Sequence, residues 1–414
     1  MSRLAINGGM PVRSKPFPAW PVHDRRELEM MSEVVASGKW GRYEGPMAER
    51  FETEFAQYQD AGHALAVLNG TIALEVALRA LGVGAGDEVI VPPYTFVATA
   101  TAPLMVNAVP VFVDVDPATW NIAPDKIEAA ITGRTRAIIP VHFAGLPADM
   151  DRITEIARRR DLFVLEDCAH AHGASWRGRK VGALGDMGAF SFQSSKNLTC
   201  GEGGAIVSDD EKLIARAFSI HTFGRVPGRP WYEHHCLSSN YRLTEMQAAL
   251  LLAGLTRLEA QTELRLANAR ILDEGLAKLP GLVPVGTGDP RVTRRAYHLY
   301  VFRYAREQWR DLPKERLCEA VRAEGIPLQG GYEIPVHRQP FFQNRSFGAH
   351  GCPVDCPRYG EEADYTRVEM PVADRICAEE GLWLFHGVLL GAEEDMRDVL
   401  SALTKVYENL DELR

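Results

Sequence analysis

The chain has 414 residues, 46% of them hydrophobic and 24% charged, and its formal net charge is −9. One hydrophobic core rarely keeps growing beyond about 300 residues, so we expect two globular domains. The acidic balance without a dense Lys/Arg block argues against a nucleic-acid partner, and the lack of a signal-like start or of an apolar run of about 18 residues argues against a membrane protein, so we expect a cytoplasmic location.

Residues 60–208 alternate short apolar runs with helical patterns. The runs predicted as strands are ALAVL (64–68), EVIVP (88–92), VPVFVDV (109–115), RAIIPV (136–141) and LFVLED (162–167). Such continuous apolar runs are typical of strands buried on both faces of a parallel sheet. The helical patterns between them are TIALEVALRALG (71–82), FVATATAPLMV (96–106), PDKIEAAI (124–131) and DMDRITEIARRR (149–160). The alternation predicts an α/β fold with helices on both sides of a mainly parallel sheet.

After residue 208 the pattern changes. A long helical stretch covers residues 243–279 and stops at Pro280 and Gly281. The remainder mixes a strand signal, HLYVFRY (298–304), with helical signals, KERLCEAVRAEG (314–325) and EEDMRDVLSALTKVYENL (393–410). We predict a large α/β domain over residues 1–260 and a smaller α+β domain over residues 261–414, joined by the long helix.

Cysteine usage gives no sign of a disulfide framework or a metal site. The seven cysteines lie between Cys168 and Cys377, and an odd number in a chain of this length is typical of free thiols. Cys352 and Cys356 are separated by three residues, whereas a zinc knuckle usually has two, and no second pair follows at metal-site spacing. We expect no bound metal.

Three features near predicted strand ends indicate a ligand site. The turn Asn69-Gly70-Thr71 leaves a strand and opens a helix, where free N–H groups and the helix dipole favour an anion such as phosphate. Asp167 ends an apolar strand and is expected to need a cation or hydrogen-bond donors. Simpler explanations remain open, because Thr71 and Asp167 are also residue types that cap helices and turns.

Lys196 is the third feature, at a strand-to-loop junction among hydroxyl residues in FSFQSSKNLTCGEGG (190–204). A lysine amine becomes a nucleophile where its surroundings favour the neutral form, and it then forms Schiff bases with carbonyl compounds. A single lysine in a turn is usually an ordinary surface residue. However, an anion-binding helix start, a strand-end carboxylate and a lysine together are what pyridoxal 5′-phosphate needs: a phosphate anchor, a partner for the ring nitrogen and an amine for the aldehyde.

Six motifs in order resemble those of the DegT/DnrJ/StrS aminotransferases, fold-type I enzymes that place amino groups on keto sugars and cyclitols. The motifs are NGTIALEVALRALGVGAGDEVIVPPYTFVATA (69–100), VFVDVDPATWNI (111–122), IIPVHFAG (138–145), LEDCAHAHGA (165–174), FSFQSSKNLTCGEGGA (190–205) and NYRLTEMQAAL (240–250). The similarity runs from about Trp20 to Ala260. FPAWP (17–21), CPV (352–354) and WLFHGVLLG (383–391) further resemble the branch with inosose aminotransferases and aminohydroxybenzoate synthases.

The resemblance implies a role for each matching residue around the cofactor ring. Lys196 is implied to hold the cofactor aldehyde as an imine, and Asp167 to pair with the ring nitrogen. Phe96 is implied to stack on the ring, and His170 to lie near its phenolic oxygen. Phe96 could instead be an ordinary core residue, and His170 and His172 could be packing histidines.

The resemblance also implies a phosphate site shared between two subunits. Gly70, Thr71 and Ser191 are implied to bind the phosphate from one subunit. Asn240 is implied to reach the phosphate of the neighbouring subunit, so a homodimer with shared active sites is expected. Contacts to the acceptor are expected from KWGRYEGP (39–46), from HTFGR (221–225) and from the small domain.

The implied activity is transfer of an amino group from L-glutamine or L-glutamate to a keto-cyclitol or keto-sugar, in amino-sugar or aminocyclitol biosynthesis. Lys196 is implied to move a proton between the donor and the cofactor, which carries the amine as pyridoxamine phosphate. An aminohydroxybenzoate synthase-like dehydratase and a non-catalytic ligand-binding regulator on the same fold remain alternatives. The sugar dehydratases of the family have histidine in place of the lysine, which Lys196 argues against.

Overall fold

The computed structural model describes residues 3–286, 288–360 and 363–413. Its strands, in chain order, are β1 His63–Val67, β2 Glu88–Val91, β3 Val109–Phe112, β4 Thr135–Ile138, β5 Phe163–Asp167, β6 Ser175–Trp176, β7 Arg179–Lys180, β8 Met187–Ser191, β9 Gly204–Ser208, β10 Leu282–Pro284, β11 Val292–Arg294, β12 Leu299–Tyr304 and β13 Gly381–Phe385. Its α-helices are α1 Arg25–Ser37, α2 Met47–Tyr58, α3 Gly70–Leu81, α4 Ala98–Met105, α5 Pro124–Ala130, α6 Met150–Arg160, α7 Glu211–His221, α8 Glu245–Leu276, α9 Lys314–Ala323, α10 Pro340–Gln343, α11 Pro371–Arg375 and α12 Glu393–Glu408.

We call the part of the chain before residue 261 the large half and the part from residue 261 onward the small half. A seven-stranded sheet in the order β1-β9-β8-β5-β4-β2-β3 forms the centre of the large half. The pairs from β8 through β5, β4 and β2 to β3 are parallel, whereas β9 is antiparallel to both of its neighbours. The five strands predicted from apolar runs all lie in this sheet. Both ends of each strand lie within three residues of the predicted ends. The predicted α/β fold with a mainly parallel sheet is confirmed.

Helix α3 is held at both ends by its own sequence. The Asn69 side chain accepts a hydrogen bond of 2.9 Å from the Ile72 amide, which caps the N-terminus. Gly82 ends the helix with φ of +85°, a left-handed conformation that suits glycine. Most of the helix is buried against β8, β9 and the neighbouring helices, which fixes its N-terminus beside the ends of those strands.

Helix α8 is the long helix that the sequence predicts. Thr244 and Gln247 form a capping box at its start, because each side chain bonds the backbone of the other residue. Its N-terminal part packs against α1 and α2, and its C-terminal part packs against α12 and the sheet β10-β12-β13. The helix thus contributes to the cores of both halves of the molecule.

Part of the C-terminal half returns to the large sheet. The Tyr365 hydroxyl donates to the Pro110 carbonyl at 3.0 Å, and the amides of Val372 and Ala373 donate to Asp114 at 3.0 and 3.1 Å. The region around these residues, which the sequence assigned to the small domain, therefore covers the edge of the large sheet beyond β3. The division of the chain at residue 260 stays a prediction.

Two composition-based expectations bear on the fold. All seven cysteines are free thiols, as predicted. No helix in the described ranges has both the length and the apolar character that a bilayer crossing requires.

Candidate active site

A cleft of about 570 Å³ opens where β5 and β8 end and α3 begins. Seven of the eight residues singled out from the sequence line it: Gly70, Thr71, Phe96, Asp167, His170, Ser191 and Lys196. The strands are parallel there, so side chains far apart in the chain meet at one edge of the sheet. We call this space the central cleft.

The N-terminus of α3 forms an anion cradle in the central cleft. The amides of Gly70 and Thr71 have no hydrogen-bond acceptor among the described residues, so they are available to an anion. A Cβ atom on Gly70 would lie 2.7 Å from the Ser191 Cβ, which leaves room only for glycine. A Cβ atom on Gly204 would lie 2.4 Å from the Asn69 carbonyl, so a second glycine allows β9 to approach the same turn.

Asp167 ends β5 and is 5% exposed. Its carboxylate accepts hydrogen bonds from the Thr99 hydroxyl at 2.8 Å and from the Ala169 amide at 3.1 Å. Burial raises the pKa of Asp167, opposed by these two bonds and by the nearby Lys196 charge. The carboxylate has acceptor capacity left over, and it faces the cleft.

Lys196 is half-buried in the cleft, unlike an ordinary surface lysine. Its backbone amide donates to the Gln193 carbonyl at 2.8 Å, which closes the turn that follows β8. The amine makes no hydrogen bond or ion pair with the described residues. Burial lowers the pKa of Lys196 to about 8, opposed by the Asp167 charge, so the neutral fraction of the amine near pH 7 is much larger than in an ordinary lysine.

Two stacked histidines form a wall of the cleft, with ring centroids of His170 and His298 separated by 4.2 Å. The Ala144 amide donates to Nδ1 of His170 at 3.3 Å, so the proton of that neutral ring lies on Nε2. Asn197 donates to the Ala296 carbonyl at 2.7 Å, so its oxygen, 3.3 Å from His298 Nδ1, accepts from that ring. The stack therefore offers a donor from His170 and an acceptor from His298.

Both rings of this stack are held neutral. Burial, followed by the Lys196 charge, puts the pKa of His170 well below its ordinary value. Burial, followed by His170 and Lys196, does the same to the pKa of His298. Sequence analysis missed His298, because the pattern around it only predicts a strand.

His172 is a packing histidine, one of the alternatives left open above. It lies between Phe190 and Phe192, and its Nε2 donates to the Ser191 carbonyl at 3.0 Å. Phe96, in contrast, is 58% exposed and lines the cleft, so it is not a core residue. Through this bond His172 holds the backbone of Ser191 beside the cleft.

The small half of the molecule supplies part of the cleft lining. Its residues that line the cleft are His298, Leu299, Gln329, Tyr332, Trp383 and Phe385. The Trp383 indole donates to the Gln329 side chain at 2.8 Å, which fixes both groups. Among the described lining residues the charged ones are Asp167, Lys196 and Glu202.

Asn240 is exposed and does not line the central cleft of its own chain. The segments 39–46 and 221–225, expected to contact an acceptor, do not line it either. These regions expose aromatic side chains, including Trp40, Tyr43 and Phe223. Within one chain, the predicted site is thus assembled except for Asn240 and these two segments.

A buried group behind the sheet, His142, Glu166 and Cys168, has the composition of a metal site. However, His142 Nδ1 accepts from the Ala148 amide, and its Nε2 donates to Glu166 at 2.9 Å. Three backbone amides, of Gly182, Leu184 and Gly185, donate to the remaining acceptor positions of that carboxylate. Because a carboxylate has about four acceptor positions, these four donors occupy those of Glu166, and both ring nitrogens of His142 are also bonded.

The chain is similar over its whole length to curated aminotransferases. A Streptoalloteichus tenebrarius protein with the provisional name L-glutamine:3-amino-2,3-dideoxy-scyllo-inosose aminotransferase is 45% identical over 417 residues, covering 100% of both chains. The L-glutamine:2-deoxy-scyllo-inosose aminotransferase of Micromonospora echinospora is 41% identical over 433 residues, covering 100% of both. These identities extend through the C-terminal half, beyond Ala260, where the similarity of the six motifs ends.

The fold and the family model agree with these relatives. The crystal structure of 3-amino-5-hydroxybenzoic acid synthase superposes with a TM-score of 0.85 at 38% identity, covering 95% of this chain and 99% of that one. The model described as the DegT/DnrJ/EryC1/StrS aminotransferase family matches residues 21–355. The chain therefore belongs to the DegT/DnrJ/EryC1/StrS aminotransferase family, as its six motifs predicted.

Proposed function

We propose that this protein is a pyridoxal 5′-phosphate-dependent aminotransferase that moves an amino group from L-glutamine, or from L-glutamate, to a keto-cyclitol. One observation carries the proposal: an amine of lowered pKa and a buried carboxylate face the same cleft beside an open helix N-terminus. The names of the full-length relatives support glutamine as the donor and an inosose as the acceptor.

The residues of the cleft fit this cofactor. The amides of Gly70 and Thr71, with the Ser191 hydroxyl, suit a phosphate at the start of α3. Asp167 suits a protonated ring nitrogen, because that cation would compensate the cost of its buried charge. Phe96 offers an exposed ring face above the cleft, and His170 offers an Nε2–H donor suited to a phenolic oxygen.

The bound cofactor would supply a carbonyl that takes up an amine and a ring that withdraws electrons from the neighbouring carbon. Lys196 holds the reactive amine and, when free, takes a proton from the α-carbon of the amino donor. Its lowered pKa makes it a base near neutral pH, since an ordinary lysine is protonated there. Asp167 keeps the ring-nitrogen proton in place by its charge, and His170 orients the ring edge.

The charges of the cleft support a neutral polyhydroxylated acceptor. Lys196 is the single cation among the described residues of one chain that line the cleft, so that chain places no arginine there to compensate a nucleotide diphosphate. Gln329, Tyr332 and His298 offer hydrogen-bonding groups for ring hydroxyls, and Trp383 offers an apolar face for the ring carbons. A free cyclitol is therefore favoured over a nucleotide-linked sugar.

The test combines spectra with product analysis. The purified protein with pyridoxal phosphate should show the visible absorption band of a lysine-bound cofactor, and Lys196→Ala should abolish it. With L-glutamine, 2-deoxy-scyllo-inosose and scyllo-inosose should yield amino-cyclitols by mass spectrometry, and a nucleotide-linked keto sugar should not react. An unchanged band in Lys196→Ala, or reaction of the nucleotide sugar alone, would contradict the proposal.

The similarity to 3-amino-5-hydroxybenzoic acid synthase favours one alternative, a dehydrating and aromatising enzyme in which Lys196 would hold the cofactor in the same way. The product separates the two functions, because an aromatic amine absorbs in the ultraviolet and an amino-cyclitol does not. The 45% and 41% identities to inosose aminotransferases favour transamination over the 38% identity to the synthase.

We further propose a homodimer in which Asn240 completes the neighbouring phosphate site. The exposure of Asn240 and of Trp40, Tyr43 and Phe223 supports a surface that a second copy covers. Mixing Lys196→Ala with Asn240→Ala subunits tests this, because one site of each mixed dimer would then contain both native residues. Activity should rise above that of either variant alone, and no gain after subunit exchange would contradict shared sites.

A further inference from the structure

The turn that carries Lys196 is held by side chains from distant parts of the chain. The Trp20 indole donates to the Ser194 carbonyl at 2.8 Å. Nε2 of His386 bonds to the Ser195 carbonyl at 2.9 Å. These two carbonyls immediately precede Lys196, so the N-terminal segment and the small half both act on the peptide that positions the lysine.

The proton on His386 is placed by Arg265. Nη2 of Arg265 lies 3.1 Å from Nδ1 of His386. A guanidinium has only donors, so Nδ1 must accept and the proton of the neutral ring must lie on Nε2. That proton points at the Ser195 carbonyl, which can only accept. We call the two hydrogen bonds, from Arg265 to His386 and from His386 to the Ser195 carbonyl, the relay. The donor and the acceptor of each bond are therefore determined.

Arg265 is an energetically unfavourable residue at this position. Its side chain is fully buried in α8, and no described carboxylate pairs with it. Its Nε and Nη1 atoms have no hydrogen-bond partner among the described residues. Burying an unpaired charge costs several kcal/mol, and an apolar residue would pack here at less cost. The Trp20 ring, 5.7 Å from the guanidinium and 4.4 Å from the His386 ring, closes the same cluster.

We propose that Arg265 and His386 are positioning residues for Lys196: Arg265 fixes the His386 tautomer, and His386 holds the Ser195 carbonyl so that the amine stays in the central cleft. The inference rests on the proposed role of Lys196, and it assigns the small half of the molecule a function beyond lining the cleft. Its consequence is that loosening the relay lets the amine reach solvent and regain the protonation of an ordinary lysine.

The test measures Lys196 directly, in the full-length protein without cofactor, by the pH dependence of its acetylation with acetic anhydride and peptide mass spectrometry. The native midpoint is expected near pH 8. Arg265→Met and His386→Leu should raise it by about one pH unit or more, since solvent favours the charged amine. His386→Gln should retain the native midpoint, because its amide accepts from Arg265 and donates to Ser195. Exposed Lys212 is the internal control in every sample.

A merely structural role would lower the melting temperature and leave the Lys196 midpoint unchanged, and that result in folded Arg265→Met and His386→Leu would overturn the proposal. So would a His386→Gln midpoint equal to that of His386→Leu. If Arg265→Met does not fold, Arg265→Lys, which keeps a donor to Nδ1, should show a native midpoint, and a raised midpoint there would count against the relay. Because no cofactor is present, these outcomes are independent of whether the protein transfers amino groups.

Discussion

Two adjacent carboxylates on β5 have opposite surroundings. Glu166 is fully buried, and three backbone amides and His142 donate to it. Asp167 is 5% exposed, receives hydrogen bonds from Thr99 and Ala169, and opens on the central cleft. Successive residues of a strand point to opposite faces, so one acid lies behind the sheet and the other lies at the site.

The difference separates a structural acid from a functional one. The partners of Glu166 are donors that cannot act as acceptors, so each of these hydrogen bonds needs an acceptor oxygen on the side chain. The Thr99 hydroxyl next to Asp167 also lies 2.9 Å from the Thr95 hydroxyl, so this pair can reverse its donor direction. The hydrogen bonds around Asp167 can therefore rearrange when a group binds. Those around Glu166 cannot rearrange without being lost.

Removal of the Asp167 charge should strongly reduce catalysis without lowering stability. Asp167→Asn should reduce kcat on the order of 10²-fold or more, because a neutral amide does not stabilise a cationic ring nitrogen. The melting temperature of this variant should equal or exceed that of the native protein. A buried charge is removed, and the Thr95–Thr99 pair can reverse its hydrogen-bond direction to accept from the new amide. Kinetics and calorimetry measure both. A full-rate Asp167→Asn enzyme would show that the two acids do not differ in function.

Glu166→Gln is the matched change one residue earlier. Its amide nitrogen would face backbone donors that cannot reverse, so the free energy of unfolding should fall by about 3–5 kcal/mol. The kcat of the protein that remains folded should change little. Urea denaturation measures the first quantity. Unchanged stability would mean that the network around Glu166 does not hold the sheet.

The burial of Lys196 can be tested by the pH dependence of the free energy of unfolding. Its pKa is about 8 when folded and about 10.5 as a free side chain. Between these values the unfolded state binds more protons, so stability attributable to Lys196 rises with pH and its cost is greatest below pH 8. Lys196→Met should therefore stabilise the protein by roughly 1–3 kcal/mol at pH 7, with the gain declining toward pH 10.5. Lys212→Met, at an exposed position, serves as the control.

Loss of the hydrogen bond from Thr99 to Asp167 should have a smaller effect than these changes. Thr99→Val removes the hydroxyl that lowers the Asp167 pKa, so that pKa should rise further. The acid limb of the pH–rate profile should move up by about one unit, with at most about a tenfold loss of kcat at neutral pH. Thr101→Val, in the same helix, is the matched control. Identical pH–rate profiles for the two variants would show that Thr99 does not lower the pKa of Asp167.

The fold was predictable to the extent that its signals are local. Strands β1 to β5 lie in short apolar runs separated by helical patterns, so their positions follow from residue order alone. β8 and β9 are less clear, because Gly188 within β8 and Gly204 at the start of β9 serve close backbone approach and not strand propensity. The packing of the segment around Tyr365 on the large sheet has no local signal.

Gly70, Asp167 and Lys196 could be found at strand ends and helix starts from residue order, because the chemistry of those positions depends on neighbours a few residues away. The other groups that surround them depend on long-range packing. His298, His386 and Arg265 reach the lysine turn across about 70 to 190 residues of chain. Their protonation and burial, and with them the lowered pKa of Lys196, depend on how the two halves of the molecule pack together.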